Sequence, residues 1–173
     1  MSEVRIFLGA PPPHARGYVD DDTAFMRVAL AEASAAALEG EVPVGCVIVD
    51  EGGVELARGR NRREQRRDVS AHAEIVALRA AAGVRRSWRL PGATVYVSLE
   101  PCVMCAGALV QARVSRVVFA CDDPKAGGLV SLYTLGSDPR QNHQLEVTRG
   151  VLADEGAAVL RAFFEQLRQT GKK

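Results

Sequence analysis

Two helices can be read in this chain that each open on His, Glu or Cys, and any fold it adopts must accommodate both openings. One is SAHAEIVALRAAAG, with His72 and Glu74 in its first turn; the other is CVMCAGALVQA, with Cys102 and Cys105 in its first turn. Each follows directly on a strand or loop. Backbone N–H groups and the helix dipole at such a start stabilise anions, so thiolates there have lowered pKa and are ready to bind a cation. Cys102 and Cys105 share one helical face, which lets both sulfurs converge on one ion. The His72 imidazole completes a set of one nitrogen and two sulfurs, which suits zinc. Structural zinc sites close with four protein ligands, whereas catalytic ones keep three and leave the fourth position to water; the sequence offers three.

Other readings of these residues stand beside that one. His14, in a proline-rich stretch, or His143, in a polar loop, could supply a fourth ligand and make the site structural, although neither has a spacing that suggests it. A Cys-x-x-Cys pair also occurs in disulfides and in redox motifs. A redox pair does not explain a His-x-Glu at a second helix start, and no export signal supports disulfides. Cys46 and Cys121, in the apolar runs VGCVIV and RVVFAC, read as small buried hydrophobes. Glu74 has a role that follows from charge. Two thiolates and a neutral imidazole cancel a dication, so the cluster acidifies water less than an all-histidine site, and a nearby base must help remove the proton. Glu74 is the candidate catalytic residue for that task, outside the metal shell.

The 173 residues fit one domain. Residues 1–22, with their prolines and aspartates, are expected to form an extended arm, 23–168 a single domain, and 169–173 a basic tail with Lys172 and Lys173. The longest apolar run, 102–110, is too short to span a bilayer, and the absence of a secretory or transit pattern near Met1 leads to an expectation of a cytoplasmic protein. Thr23 is expected to cap a first helix that Gly40 stops. A hairpin follows, with strands in VPVGCVIVD and at 54–59. Ser70 is a plausible cap and Gly83 a plausible end for the second helix. ATVYVSL and SRVVFA read as strands around the CVMCAGALVQA helix. Then come a Gly-rich loop at DDPKAGG, a short helical segment near 129–135, a strand in LEVTRGV and a closing helix from 154 to about 168. Strand, helix and strand in succession place parallel neighbours in one sheet, so the expectation is an α/β protein: a five-stranded mixed sheet with helices on both faces and the hairpin as its antiparallel part.

The net charge of +1 gives no global field for nucleic acid. Two basic clusters are local: RGRNRREQRR at 58–67, with six arginines, and RRSWR at 85–89, with three more and the only Trp. Taken alone, such clusters are more often solvated loop than binding surface.

His-x-Glu followed by Pro-Cys-x-x-Cys is the signature of zinc nucleobase deaminases. Through these residues and through EVPVGCVIV, GRN, AHAEIVALR, EPCVMCAGALVQARVSRVVFAC, DDPKAGG, NH at 142–143, and LADE with the later FF, the chain resembles the cytidine deaminase-like superfamily. Within it the likeness is to the bacterial tRNA-specific adenosine deaminases, over about residues 25 to 168. The resemblance implies a three-layer αβα fold and conversion of the wobble adenosine of a tRNA anticodon to inosine. It implies one zinc per chain on His72, Cys102 and Cys105, Glu74 as proton shuttle, and Asn61 on the extruded base. It places Asp123, Lys125, Asn142 and His143 around the anticodon and implies a homodimer whose tRNA site draws on both subunits. In such a protein Arg62, Arg63, Arg66 and Arg67 become candidate phosphate contacts. The run PKAGGLVSLYTLGSDPRQ departs from the commoner AKTGAAGSL of the family. Two other functions share part of the pattern. One is a deaminase of a free base or nucleotide such as guanine or cytosine, which needs no basic surface. The other is a non-catalytic, zinc-containing RNA-binding subunit, which would lack the Glu.

Overall fold

In the computed structural model, residues 5–6 and 18–171 are described. The elements run β1 (Arg5–Ile6), α1 (Tyr18–Leu38), β2 (Gly45–Val49), β3 (Glu55–Arg60), α2 (Arg63–Arg66), α3 (Ala73–Arg85), β4 (Thr94–Leu99), α4 (Val103–Gln111), β5 (Arg116–Cys121), a 3₁₀ turn (Leu135–Ser137), β6 (Glu146–Arg149) and α5 (Ala153–Thr170). The central strands are apolar on both sides, as a sheet covered on both faces requires. Alternation sends Cys46, Ile48, Val95, Val97, Val117 and Phe119 to one face, where Ala77, Ala81, Ala106 and Leu109 of α3 and α4 meet them. Val47, Val49, Tyr96, Val118 and Ala120 point the other way, onto Met26, Ala29 and Leu30 of α1. The α5 helix packs on β5. The chain is thus a three-layer αβα structure.

The strand order is β1-β6-β5-β4-β2-β3. The five strands expected from the sequence form the mixed sheet, and the two-residue β1 adds antiparallel to β6 at the edge. Both β3 and β4 pair antiparallel with β2, so they run the same way, and β5 and β6 continue parallel to β4. The carboxyl ends of β3 and β4 therefore emerge on one edge, and α3 and α4 start there. Open α/β sheets bind ligands at such an edge. Gly59 lets α3 seat this closely: a Cβ there would lie 2.6 Å from the Ala73 carbonyl oxygen and 2.8 Å from the Ala77 amide nitrogen.

Several boundaries differ from the sequence expectation. Thr23 lies inside α1 and does not cap it. The helix begins at Tyr18 because Asp22 is buried and tied to the sheet: its two oxygens accept Arg116 Nη1 and Nη2, each at 2.7 Å, and one also accepts the Tyr96 hydroxyl at 2.9 Å. Ser70 does not cap α3; its hydroxyl donates to Asp68 at 2.7 Å, and His72, in extended backbone conformation, holds the N-cap position. Gly83 lies within the last turn, and Arg86, at φ 50°, takes the left-handed position that ends α3. The segment 129–134 is turn and bend, with the 3₁₀ turn following it. Most of the expected arm, including His14, and the tail lysines Lys172 and Lys173 lie outside the described residues. Among the described residues no helix is long and apolar enough to cross a membrane.

Candidate active site

The two helix starts meet. His72 is the N-cap residue of α3, Cys102 is the N-cap residue of α4, and Cys105 lies one turn further on. His72 Nδ1 is 3.7 Å from Cys102 Sγ and 3.6 Å from Cys105 Sγ. All three donor atoms lie within 4.8 Å of one another, and no fourth His, Cys, Asp or Glu joins them among the described residues. The spacing passes a simple test. Tetrahedral bonds of about 2.3 Å to sulfur and 2.0–2.1 Å to nitrogen put N and S roughly 3.6 Å apart, so these residues fit one zinc ion. His143 cannot close the set, because its Nε2 meets the Val114 carbonyl at 2.6 Å, beyond the far end of α4. All four cysteines are free thiols.

The electrostatics of the cluster suit a cation. Cys102 is drawn down to about 4, first by the hydrogen bond from Cys105, with His72 adding to it against the cost of burial. Cys105 is pushed far up by the same bond and by burial. The bond to Cys102 raises His72, with burial opposing it. Protons held among three such donors are what a binding metal displaces. Burial pushes Glu74 up to about 7, and its Oε2 is buried without a hydrogen-bond partner. An orphaned carboxylate oxygen beside a ligand cluster is costly to keep, and it is available to a substrate or a water.

A cavity of about 150 Å³ opens onto the cluster. Its polar lining includes Asn61, Glu74 and Asp123, and its apolar lining includes Val42, Val44 and Leu99. Asn61 is buried, with Nδ2 donating to the Val42 carbonyl at 3.3 Å and Oδ1 accepting the Arg63 amide at 3.4 Å. Of the four arginines, Arg63 lines the cavity; Arg66 and Arg67 are exposed on the adjoining turn and Arg62 is half-buried. Lys125 is exposed at the tip of the loop that Asp123 begins. Asn142 and His143 are not brought to this cavity. Asn142 accepts Arg113 Nη1 at 2.9 Å, next to His143 and Val114. Nine-residue α4 lies between them and Cys102, a separation of roughly 13 Å along its axis.

Sequence reasoning passed over Val42, Val44, Glu41 and Glu100. The proline and valines of EVPVG, leading into β2, and the Glu of EPC were the available signals. The Glu41 carboxylate is buried and accepts the amides of Glu64 at 3.1 Å and Gln65 at 2.8 Å, so it fixes α2 beside Asn61.

Comparison with known proteins agrees with this geometry. Residues 19–121 match the cytidine and deoxycytidylate deaminase zinc-binding region. The chain is 46% identical to a tRNA-specific adenosine deaminase of Bacillus subtilis over 87% of its length and 93% of that protein's. It is 44% identical to one of Haemophilus influenzae over 87% of each. A solved structure from a study of A-to-I editing by tRNA:A34 deaminases at the wobble position superposes with a TM-score of 0.77 at 43% identity, covering 80% of this chain and 99% of the other. A guanine deaminase from Nitrosomonas europaea superposes at 0.68 with 25% identity, covering 91% and 95%. The chain belongs to the tRNA-specific adenosine deaminase family, within the zinc-binding cytidine and deoxycytidylate deaminases.

Proposed function

We propose that this enzyme hydrolyses the wobble adenosine of a tRNA anticodon to inosine and releases ammonia. The observation that carries the reading is a His-Cys-Cys donor cluster with a buried carboxylate beside it, one of whose oxygens has no hydrogen-bond partner, at the foot of a cavity that also presents Asn61. His72, Cys102 and Cys105 would hold one zinc, which would supply the Lewis acidity that makes water nucleophilic near neutral pH. Glu74 takes the proton from water as oxygen adds to the amino-bearing carbon. It delivers that proton to the neighbouring ring nitrogen, then takes the hydroxyl proton of the adduct and passes it to the amino group, so the C–N bond breaks, the C=O forms and ammonia leaves. Asn61 orients the extruded base by hydrogen bonding, and Val42, Val44 and Leu99 exclude water from its faces. An anticodon loop suits this pocket because its bases are already largely unstacked. Arg62, Arg63, Arg66 and Arg67 on one rim, and Asp123 and Lys125 on the other, are the contacts for the flanking nucleotides.

We further propose a cytoplasmic homodimer, with residues 23–168 and the preceding turn of α1 as its single domain. Exposed Val103, Met104, Leu132 and Tyr133 support the dimer. The two segments that carry them are linked beside the cluster: the Leu132 and Tyr133 amides bond the Gly127 carbonyl, and Gly127 bridges to Cys102. Asn142 and His143, remote from their own chain's cavity, then serve the partner's RNA.

The test is turnover of an anticodon stem-loop bearing a wobble adenosine, set against free bases and nucleosides, with zinc measured on the same preparation. Turnover of free guanine with none on RNA would favour the second reading, which the superposition on a guanine deaminase makes specific. Sedimentation of wild type and Met104→Arg tests the dimer: the expected result is a dimer that the charge at Met104 converts to monomer.

A further inference from the structure

Glu100 is 2% exposed and stands just ahead of Pro101 and Cys102. A carboxylate so buried needs partners, and among the described residues this one finds them all in a single loop. Oε1 accepts the amides of Leu129 at 3.1 Å, Val130 at 2.7 Å and Ser131 at 2.9 Å. Oε2 accepts the amide of Asp123 at 3.0 Å and the hydroxyl of Ser131. Both ends of loop 123–131 are thus tied to one side chain. Gly127 packs against the same carboxylate so closely that a Cβ there would collide with it. Two backbone links complete the latch: the Gly128 amide donates to the Pro101 carbonyl at 2.8 Å, and Gly127 bridges to Cys102.

The loop forms a wall of the cavity. Asp123 and Ala126 line it, and the Asp123 carboxylate in turn accepts the amides of Lys125 at 3.0 Å and Ala126 at 3.2 Å. None of the Glu100 bonds goes to a residue of the metal cluster. The opening of α4 is held separately, with the Ala106 amide on the Cys102 carbonyl at 2.8 Å. We infer that Glu100 is a positioning residue for the deamination: it holds the wall 123–131 at a set distance from Cys102 and Glu74, and so fixes the width of the slot that the base enters. Its role in substrate fit rests on the deaminase reading above; its hold on the loop does not.

The experiment compares wild type, Glu100→Gln and Ser131→Ala. Gln keeps the shape but turns an NH₂ group toward amides that need an acceptor. In Glu100→Gln, zinc is expected to stay at about one per chain and KM for the stem-loop to rise roughly ten- to a hundredfold, with kcat changing less than about threefold. Amide exchange across 123–131 is expected to quicken by about tenfold or more while α3 and α5 are unaltered. Ser131→Ala removes only the hydroxyl contact and shifts KM and loop exchange the same way by a smaller factor, about threefold. That variant decides the question if Glu100→Gln does not fold. Unchanged loop exchange in the variants overturns the proposal, as does zinc loss with kcat falling at constant KM, which would make Glu100 a support of the metal helix alone. If wild type does not act on the stem-loop, the deaminase reading on tRNA fails, and the exchange measurement still decides the latch.

Discussion

Glu74 owes its usefulness to where its neighbours leave it. It is 3% exposed, its Oε2 has no hydrogen-bond partner, and burial pushes it up to about 7, so the group sits between its two protonation states near neutral pH. That suits a proton carrier which must accept and donate within one turnover. Glu74→Ala is expected to keep about one zinc per chain, since the carboxylate is not among the clustered donors, and to lose turnover by roughly 100- to 10,000-fold or more. Metal analysis and single-turnover rates on one preparation check both halves, and activity equal to the parent would remove Glu74 from the mechanism. Cys105→Ala is expected to behave in the opposite order: zinc falls well below one per chain, measured by atomic absorption, and activity goes with it. These two residues were legible in the sequence because a helix start fixes both spacing and local field. The unsatisfied state of Glu74 was not legible, since it depends on which polar groups other elements bring near.

At the level of elements, the arginine run shows how burial in one segment shapes exposure in another. The sequence reads 58–67 as a basic stretch and cannot say which arginines face a ligand. The buried Glu41, more than twenty residues upstream, caps α2 through two amides and turns Arg63, Arg66 and Arg67 outward beside the cavity, Arg63 with exposed Glu64 at 3.3 Å, whereas Arg58 and Arg60 of β3 are engaged with Glu32, Glu55 and Glu39. If the outward set meets phosphates, Arg63→Ala, Arg66→Ala and Arg67→Ala each lower the slope of log affinity against log salt by about 0.7 for single-stranded RNA. Filter binding of the stem-loop across a salt series reads this; a slope unaltered in all three removes the turn from the RNA interface. Helices and strands themselves were legible because apolar periodicity is local. The errors fell at ends, where tertiary partners intervene. Asp22, held by Arg116, carries α1 back to Tyr18, and Ser70, bonded to Asp68, gives up the cap to His72. The loop 123–131 was legible only as glycine-rich, since its shape comes from a carboxylate outside it.

In the whole molecule, the site depends on both layers keeping their seats on one sheet. The α3 and α4 layer carries the donor cluster, and the α1 layer covers the other face with Met26 and Leu30 set among small residues: Ala29, Ala33 and Ala36 are fully buried. The Asp22–Arg116 pair adds a polar tie to that apolar packing. The two side chains are 4% and 7% exposed, and the guanidinium also donates to Thr148 on β6 at 2.9 Å. Arg116 lies on β5, the strand whose carboxyl end leads into the Asp123 loop, so loosening this tie is felt as stability first and as pocket geometry second. Breaking a buried pair costs about 3–5 kcal/mol; removing Asp22 takes away the carboxylate that accepts two guanidinium hydrogen bonds and leaves Arg116 with the half-buried Glu146, 3.4 Å from its Nε. Asp22→Ala is therefore expected to lower the melting temperature by roughly 10 °C. Asp22→Ala with Arg116→Met recovers part of that loss, because the buried guanidinium that has lost its main carboxylate is gone and an apolar side chain of similar length takes the space. Calorimetry of the zinc-loaded proteins checks the order wild type, double variant, single variant. A double variant no more stable than Asp22→Ala would mean that the hydrogen bonds to Tyr96 and Thr148, and not the buried guanidinium's loss of its main carboxylate, decide how firmly the first helix is held to the sheet.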